Sequence, residues 1–495
     1  MVWDWLLESL SRKIYLGSRM LQRNKVKILF SFLVCLSFAQ WLIACGGEAD
    51  GEGKDTGIVL DLKRSPTFSS SERKLILEMS PVPTLPKSPS NRYADDAKAA
   101  LLGQYLFYDK GLSGNKKVSC ATCHAPDKEW GDGKKVSEGV KVVVRHAPTL
   151  WNVAYNRWFF WDGRADSLWA QALGPIEADK EMASSRSAVA HYISETPKLK
   201  AAYEAVFGSF PNISDTKRFP KDAKPLPKEE KDPRHLAWSQ MEQKDKALVN
   251  RIYANIGKAI AAYERLLVSK DAPFDTYVTG VKEGDPKKQE AISNEAKWGL
   301  KIFLRRDSCV ACHSGPNFTD LEFHNIGFGK HPSLPIEPDL GRFDGIPKVL
   351  SDPFNGLGAY SDNKTDGDHD KIRFLKSDPF ETKIAMGEMK TPTLRNIAKS
   401  APYMHDGRFK NLEEVISYYS TFGAKDPSTC LANVKAVEQP KNCKLEKTIV
   451  GHREETLLIL KLSPSQTKAL LAFLRTLTGK PLPSKLLRAP DKLPE

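Results

Sequence analysis

The pentapeptide Cys-x-x-Cys-His occurs twice, as Cys120-Ala121-Thr122-Cys123-His124 and as Cys309-Val310-Ala311-Cys312-His313. With 8 cysteines and 10 histidines in 495 residues, chance would place such a pentapeptide ~0.003 times per chain. Cysteines at i and i+3 share one face of a helical turn, so both thiols can reach the two vinyl groups of a porphyrin. The adjoining histidine then offers the iron a proximal imidazole, which is the attachment pattern of c-type haem. A four-cysteine zinc site would need a second Cys-x-x-Cys nearby, which neither motif has, and a disulfide needs no trailing histidine. Two covalently bound haem c groups are therefore expected. Cys120, Cys123 and His124 hold one, and Cys309, Cys312 and His313 the other.

The rest of the composition excludes more than it selects. A hydrophobic fraction of 41% and a charged fraction of 27% are ordinary for a globular chain. Net charge is +13, but the lysines are scattered and no basic stripe is interleaved with aromatics, so nucleic acid is not an expected partner. Arg23, Lys25 and Lys27 precede an apolar run from Ile28 to Ile43 that ends in Leu42-Ile43-Ala44-Cys45-Gly46. The pattern is an export signal over residues 1–44, with Met20 as an alternative start. The Leu-x-Ala-Cys ending resembles a bacterial lipobox, which implies a lipid on Cys45 and a body tethered to a membrane in the periplasm. An uncleaved anchor helix is the competing reading.

Residues 45–92, rich in Gly, Ser, Pro and charge, read as a flexible linker. Apolar periodicity predicts helices over about 95–108, 249–268 and 294–304. A further helix opens at Ser463-Pro464 and runs through Leu477, with Gly479 closing it. Pro211 to Lys246 is Lys/Pro/Glu-rich and reads as an exposed insertion. Alternating strand patterns are nearly missing. The expected fold is mainly α, with two cytochrome c-like haem domains packed together over 93–275 and 276–485. Cys430 and Cys443 remain once the haem, lipid and signal cysteines are assigned, and in an oxidising compartment a mutual disulfide is expected.

Around the haem motifs the sequence resembles bacterial dihaem cytochrome c peroxidases and MauG-like proteins. The resemblance rests on Leu102-Gly103-Gln104-Tyr105-Leu106-Phe107, Arg145-His146-Ala147-Pro148-Thr149-Leu150 and Phe160-Trp161-Asp162-Gly163-Arg164. It continues through Thr391-Pro392-Thr393-Leu394-Arg395-Asn396 and Pro402-Tyr403-Met404-His405-Asp406-Gly407 to Phe473-Leu474-Arg475-Thr476-Leu477. It implies that the first haem is peroxidatic and the second transfers electrons. It carries a distal acid/base onto Glu181, a partner amide onto Gln171, a distal-pocket proline onto Pro175 and an interhaem electron carrier onto Trp161. Read without the family pattern, Glu181 would be a solvated acid and Trp161 a core residue.

Departures from the family pattern point toward its MauG-like branch. Many members carry a histidine before the Arg-x-Ala-Pro segment that caps the peroxidatic iron, and Ser137 to Val144 contains none. An axial methionine of the second haem maps onto Tyr419, with Met386, Met389 and Met404 as rivals; Tyr419 also continues the stripe of Leu412, Val415 and Ile416. His146 stands where an asparagine often helps to bind an interhaem Ca2+, with backbone groups near Ser400 and Pro402, and imidazole suits that ion poorly. A surface tryptophan near the second motif of MauG is Asp307 here, and Trp298 is no obvious substitute. The implied partners are hydrogen peroxide and a small c-type cytochrome or cupredoxin as electron donor. The first reading is a peroxidase that reduces peroxide to water. The alternatives are a MauG-like oxidase, which uses peroxide to oxidise a protein or small molecule, and a non-catalytic electron carrier.

Overall fold

Two glycines set the closest helix crossings. In the computed structural model, which describes residues 58–305, 308–328, 339–377, 385–420 and 460–495 together with the backbone of 421, 429–430 and 444–445, the Ala97–Tyr108 helix packs on Gln243–Glu264. A β-carbon on Gly103 would lie 1.8 Å from the Ala259 carbonyl oxygen. The Asn294–Phe303 helix packs in the same way on Pro464–Arg475, and a β-carbon on Gly299 would lie 1.9 Å from the Ala469 oxygen. Only hydrogen at these positions lets the backbones come so close.

Each pair anchors a hydrophobic core. The first core draws on Leu102, Phe107, Trp130, Trp169, Ile256 and Tyr263, the second on Phe274, Leu300, Phe303, Phe318, Leu470 and Phe473. The described residues are mostly helical, and the strands, Phe323–His324 paired antiparallel with Met389–Lys390 and Thr429–Cys430 paired with Lys444–Leu445, are two residues long. Among the described residues no helix is long and apolar enough to cross a membrane.

Predicted helices recur with shifted ends. The one expected from 249 begins at Gln243, because its first turn, Gln243 to Lys246, is polar and so leaves no apolar stripe to read. Two expectations are corrected. The linker read over 45–92 contains a helix, Ser70–Glu78, opened by a capping box between Ser69 and Glu72. Ile76 and Met79 from this stretch are buried in the second core. Two buried apolar residues among charges give too weak a period to detect. The stretch 211–246 is likewise no loose insertion: Ile213, Phe219, Trp238 and Met241 are buried in the first core, and Pro233–Gln240 is helical. The export segment, Cys45 and Asp307 lie outside the described residues, as do the side chains of Cys430 and Cys443.

The two ends of the described chain cross over. The Ser70–Glu78 helix, from before the first core, packs on the second. Residues after the second core return to the first, where Leu486 and Leu493 pack and the Gln104 side-chain amide donates to the carbonyls of Lys485 and Arg488.

Candidate functional site: one cavity between two haem motifs

One cavity of 940 Å³ is lined by Cys123 and His124 from the first motif and by Cys309, Cys312 and His313 from the second. Gln171, Pro175, Glu181, Trp161 and Tyr419 line the same space. Cys120 lies one helical turn back from His124 and packs against the first core. None of the four motif cysteines is paired in a disulfide.

Both histidines are set up as metal ligands. His124 Nδ1 is 2.9 Å from the Trp130 carbonyl oxygen, and His313 Nδ1 is 2.9 Å from that of Phe318. A carbonyl can only accept, so Nδ1 must donate in each ring and Nε2 keeps its lone pair for iron. Burial lowers both pKa values, disfavouring the charged rings. Arg145 and Lys390 add cations to the cavity wall, complementary to the carboxylates that haem carries. Burial pushes the Lys390 ammonium down to about 8. The thiols, the ring tautomers and the wall charge all fit c-type haem.

Glu181 is placed by backbone bonds. Ser167 caps the Leu168–Glu177 helix, which carries Gln171, and Pro175 in its last turn lacks the N–H that would bond the Gln171 carbonyl. The chain then folds back, Met182 N–H to the Pro175 oxygen and Ser184 N–H to that of Ile176, which satisfies the helix's terminal carbonyls. The loop without a capping histidine closes onto this turn. Val140 N–H donates to the Glu181 oxygen at 2.7 Å, and a β-carbon on Gly139 would come within 2.3 Å of that oxygen. The Glu181 carboxyl is raised from the usual range by burial, against the opposing pull of Arg164 and Arg145. Arg164 is held over the Phe160 ring and paired with Asp162, which also binds Arg145; Arg145 in turn grips Asp339 with two hydrogen bonds.

Between the motifs, the Trp161 indole N–H donates to the His146 carbonyl at 2.9 Å, and its ring meets His405 at 6.4 Å between centroids. Burial pushes the His405 imidazole down to about 4. His146 Nδ1 donates to the Lys134 carbonyl, so this residue offers calcium an imidazole and an oxygen already engaged by Trp161. The residues here do not fit a hard cation at that position. Among the described residues a metal-like cluster occurs at Cys312, Asp320 and His324, but Cys312 belongs to a haem motif. Met389 and Met404 share the cavity wall with Tyr419. The Tyr419 hydroxyl lies within electrostatic reach of Cys309 and Cys312, and burial moves its ionisation well upward.

The geometry also exposes an internal repeat that composition and periodicity did not show. Phe159 to Ala165 superposes in role on Tyr403 to Phe409: each closes a bridge between its end residues and carries Asp-Gly-Arg at its centre. Pro148-Thr149-Leu150-Trp151-Asn152 matches Pro392-Thr393-Leu394-Arg395-Asn396, with both asparagines left-handed, at φ 57° and 59°. The repeat is cross-bonded. His146 N–H donates to the His405 carbonyl at 2.7 Å, and Lys390 N–H to that of Trp161 at 2.8 Å. In the repeat register the Leu168–Glu177 and Leu412–Thr421 helices correspond, Gln171 to Val415 and Pro175 to Tyr419. The signal was present in the sequence as Asp-Gly-Arg at 162–164 and 406–408 and Pro-Thr-Leu at 148–150 and 392–394, each pair at the same spacing.

A helical chain that opens two Cys-x-x-Cys-His motifs on one cavity has the architecture of a dihaem c-type cytochrome. A family model described as di-haem cytochrome c peroxidase matches residues 97–283. Cytochrome-c peroxidase IdrP1 of Denitromonas iodatirespirans is 30% identical over 356 residues, covering 70% of this chain and 79% of that protein. The methylamine utilization protein MauG of Methylorubrum extorquens is 32% identical over 329 residues, 66% of this chain and 70% of that one. A solved MauG-like protein associated with microbial copper homeostasis shares the fold, with a TM-score of 0.53 and 23% identity over 83% of this chain and 97% of that chain. The chain belongs to the dihaem cytochrome c peroxidase and MauG family, and is a haem-dependent oxidoreductase.

Proposed function

We propose that this protein reduces hydrogen peroxide to water on the His124 side of the cavity. A c-type haem held by Cys120, Cys123 and His124 supplies the redox-active iron for that reduction when bound. The observation that carries the reading is Glu181, a half-buried carboxyl with a raised pKa, set in the same cavity wall as His124 and Gln171. A carboxyl tuned upward in this way can take the proton from one peroxide oxygen and return it to the departing one. Gln171 positions peroxide or water by hydrogen bonds. Pro175, with no side-chain donor, leaves that side of the cavity open. Arg145 and Arg164 offset part of the burial cost of the Glu181 carboxylate and keep it available as a base. Trp161 lies between the two motifs as the interhaem carrier, and a pure electron carrier would have no use for a distal acid.

The electrons come from a small c-type cytochrome or cupredoxin, in a periplasmic setting with the body tethered through a lipid on Cys45. Tyr419, near Cys309 and Cys312, favours a second reading, a MauG-like oxidase in which peroxide is the oxidant for another substrate. Phenolate ligation there would disfavour the reduced state that a donor-fed peroxidase needs. The test is steady-state peroxide consumption by the holoprotein with a reduced small cytochrome. Rapid donor oxidation, two electrons for each peroxide, supports the peroxidase. Donor-independent persistence of both oxidising equivalents supports the oxidase, and inertness to peroxide removes both.

A further inference from the structure

Three tryptophans stand close to the haem motifs, and they differ in what their indole N–H can do. Trp161 donates to a backbone carbonyl, which cannot take a proton. Trp130 is fully buried, its N–H has no hydrogen-bond partner, and its own carbonyl receives the Nδ1 proton of His124. Trp151, in the cavity wall, donates its N–H to the carboxylate of Glu129 at 2.9 Å. Trp130 and Trp151 are in edge contact, with ring centroids 6.2 Å apart and planes at 87°. Thr149 fixes the geometry by donating its hydroxyl to the Glu129 carbonyl at 2.7 Å. The Glu129 side chain is 23% exposed, with the Lys399 ammonium 4.0 Å from its other oxygen.

We propose that Trp151 and Glu129 form a proton-coupled redox site beside the first haem motif, with Trp130 as its relay. Oxidised indole is a far stronger acid than indole, so the fate of the electron is set by whether a base is in reach. At Trp161 and Trp130 none is, and an electron vacancy there must move on. At Trp151 it can settle. Peroxide takes two electrons and two protons to become two waters; with no donor bound, Trp151 supplies one electron and the redox cofactor the other. The indole proton passes to Glu129 Oε2 and leaves a neutral indolyl radical, while the protons for water come from solvent. One electron from a surface reductant, with the proton returned from Glu129, restores the residue. The site holds an oxidising equivalent near the surface instead of leaving it in the core.

The second half of the molecule is the internal contrast. The residues matching Trp130, Trp151 and Glu129 there are Phe318, Arg395 and Asn317, by the bonds His313 Nδ1 to the Phe318 oxygen and Thr393 hydroxyl to the Asn317 oxygen. Arg395 is engaged with Asp275 and has no redox chemistry. The fold does not require these aromatics; only the peroxidatic half has them.

The inference rests on peroxide being reduced in the first half. The test mixes the oxidised holoprotein with one equivalent of hydrogen peroxide, without donor, and freeze-quenches it for electron paramagnetic resonance with ring-deuterated tryptophan. A neutral tryptophan radical is expected. It should be lost in Trp151→Phe and retained in Trp161→Phe. It should also be lost in Glu129→Gln, which keeps the size and the acceptor but cannot hold the proton; haem absorbance and circular dichroism verify that each variant folds. Peptide mass analysis after repeated peroxide exposure should find oxygen added at Trp151. Peroxide consumption by the wild type without a radical, or a radical that survives Trp151→Phe, overturns the site and leaves the peroxidase reading standing. A wild type that consumes no peroxide overturns both.

Discussion

The two halves share a frame and differ in what they place over it. Each has a glycine-mediated helix crossing, a proximal histidine tied to a backbone carbonyl five or six residues on, and a Pro-Thr-Leu segment ending in a left-handed asparagine. Asn152 bonds back to Leu267 and Asn396 to Leu477 in the same way. On this frame the first half sets Gln171 and Pro175 where the second sets Val415 and Tyr419. One helix position, then, presents to the cavity either a proline ring or a phenol. The two halves thus differ at a few positions of one repeated scaffold.

Four experiments press on that comparison. Glu181→Gln should lower peroxide turnover by at least about a hundredfold, the range expected for a lost general acid/base, with the spectrum of the second haem unchanged; normal turnover would put the working carboxyl elsewhere. Gly103→Ala and Gly299→Ala should each destabilise by about 1–3 kcal/mol through overpacking, read as a lower denaturant midpoint. If one is tolerated, the two crossings are not equivalent.

Glu264, buried on the Gln243–Glu264 helix, has Leu474 as its counterpart in the second half, and burial pushes its carboxyl up from 4.5 to about 8. Below the lower value both folded and unfolded chains hold the proton. Between the two only the folded chain does, so stability should fall with rising pH by ~1.4 kcal/mol per unit and level off above the upper one. Glu264→Gln should flatten that slope in denaturant titrations, and an unchanged slope would assign it to another group. The smallest effect is expected from Thr149→Val and Thr393→Val, which remove matched 2.7 Å hydrogen bonds. Each should cost about 0.5–1.5 kcal/mol, and Thr149→Val alone should disturb the indole fluorescence.

Much of this was legible in the sequence where residues interact locally. The haem motifs announce themselves because attachment chemistry fixes their spacing, and the Ser463-Pro464 helix start because capping is a matter of adjacent residues. Glu181, Gln171, Pro175 and Trp161 could be named through family resemblance alone, since nothing within a few residues of Glu181 marks it as buried. What stayed hidden depends on distant partners. Arg145, Asp162 and Asp339 join across 194 positions, and Glu129 meets Trp151 across 22. Phe219 and Trp238, in a stretch rich in charge and proline, find their core only in three dimensions.

The crossed bonds at the centre bear on how such a molecule could be divided. The amide of His146 and that of Lys390 each end on the other repeat's carbonyl, and each end of the described chain lies on the far half's core. A cut near residue 270 would leave two fragments, each lacking a helix or tail that the other retains and each with an unanswered amide at its face. The halves resemble each other as siblings do, yet they are laced together.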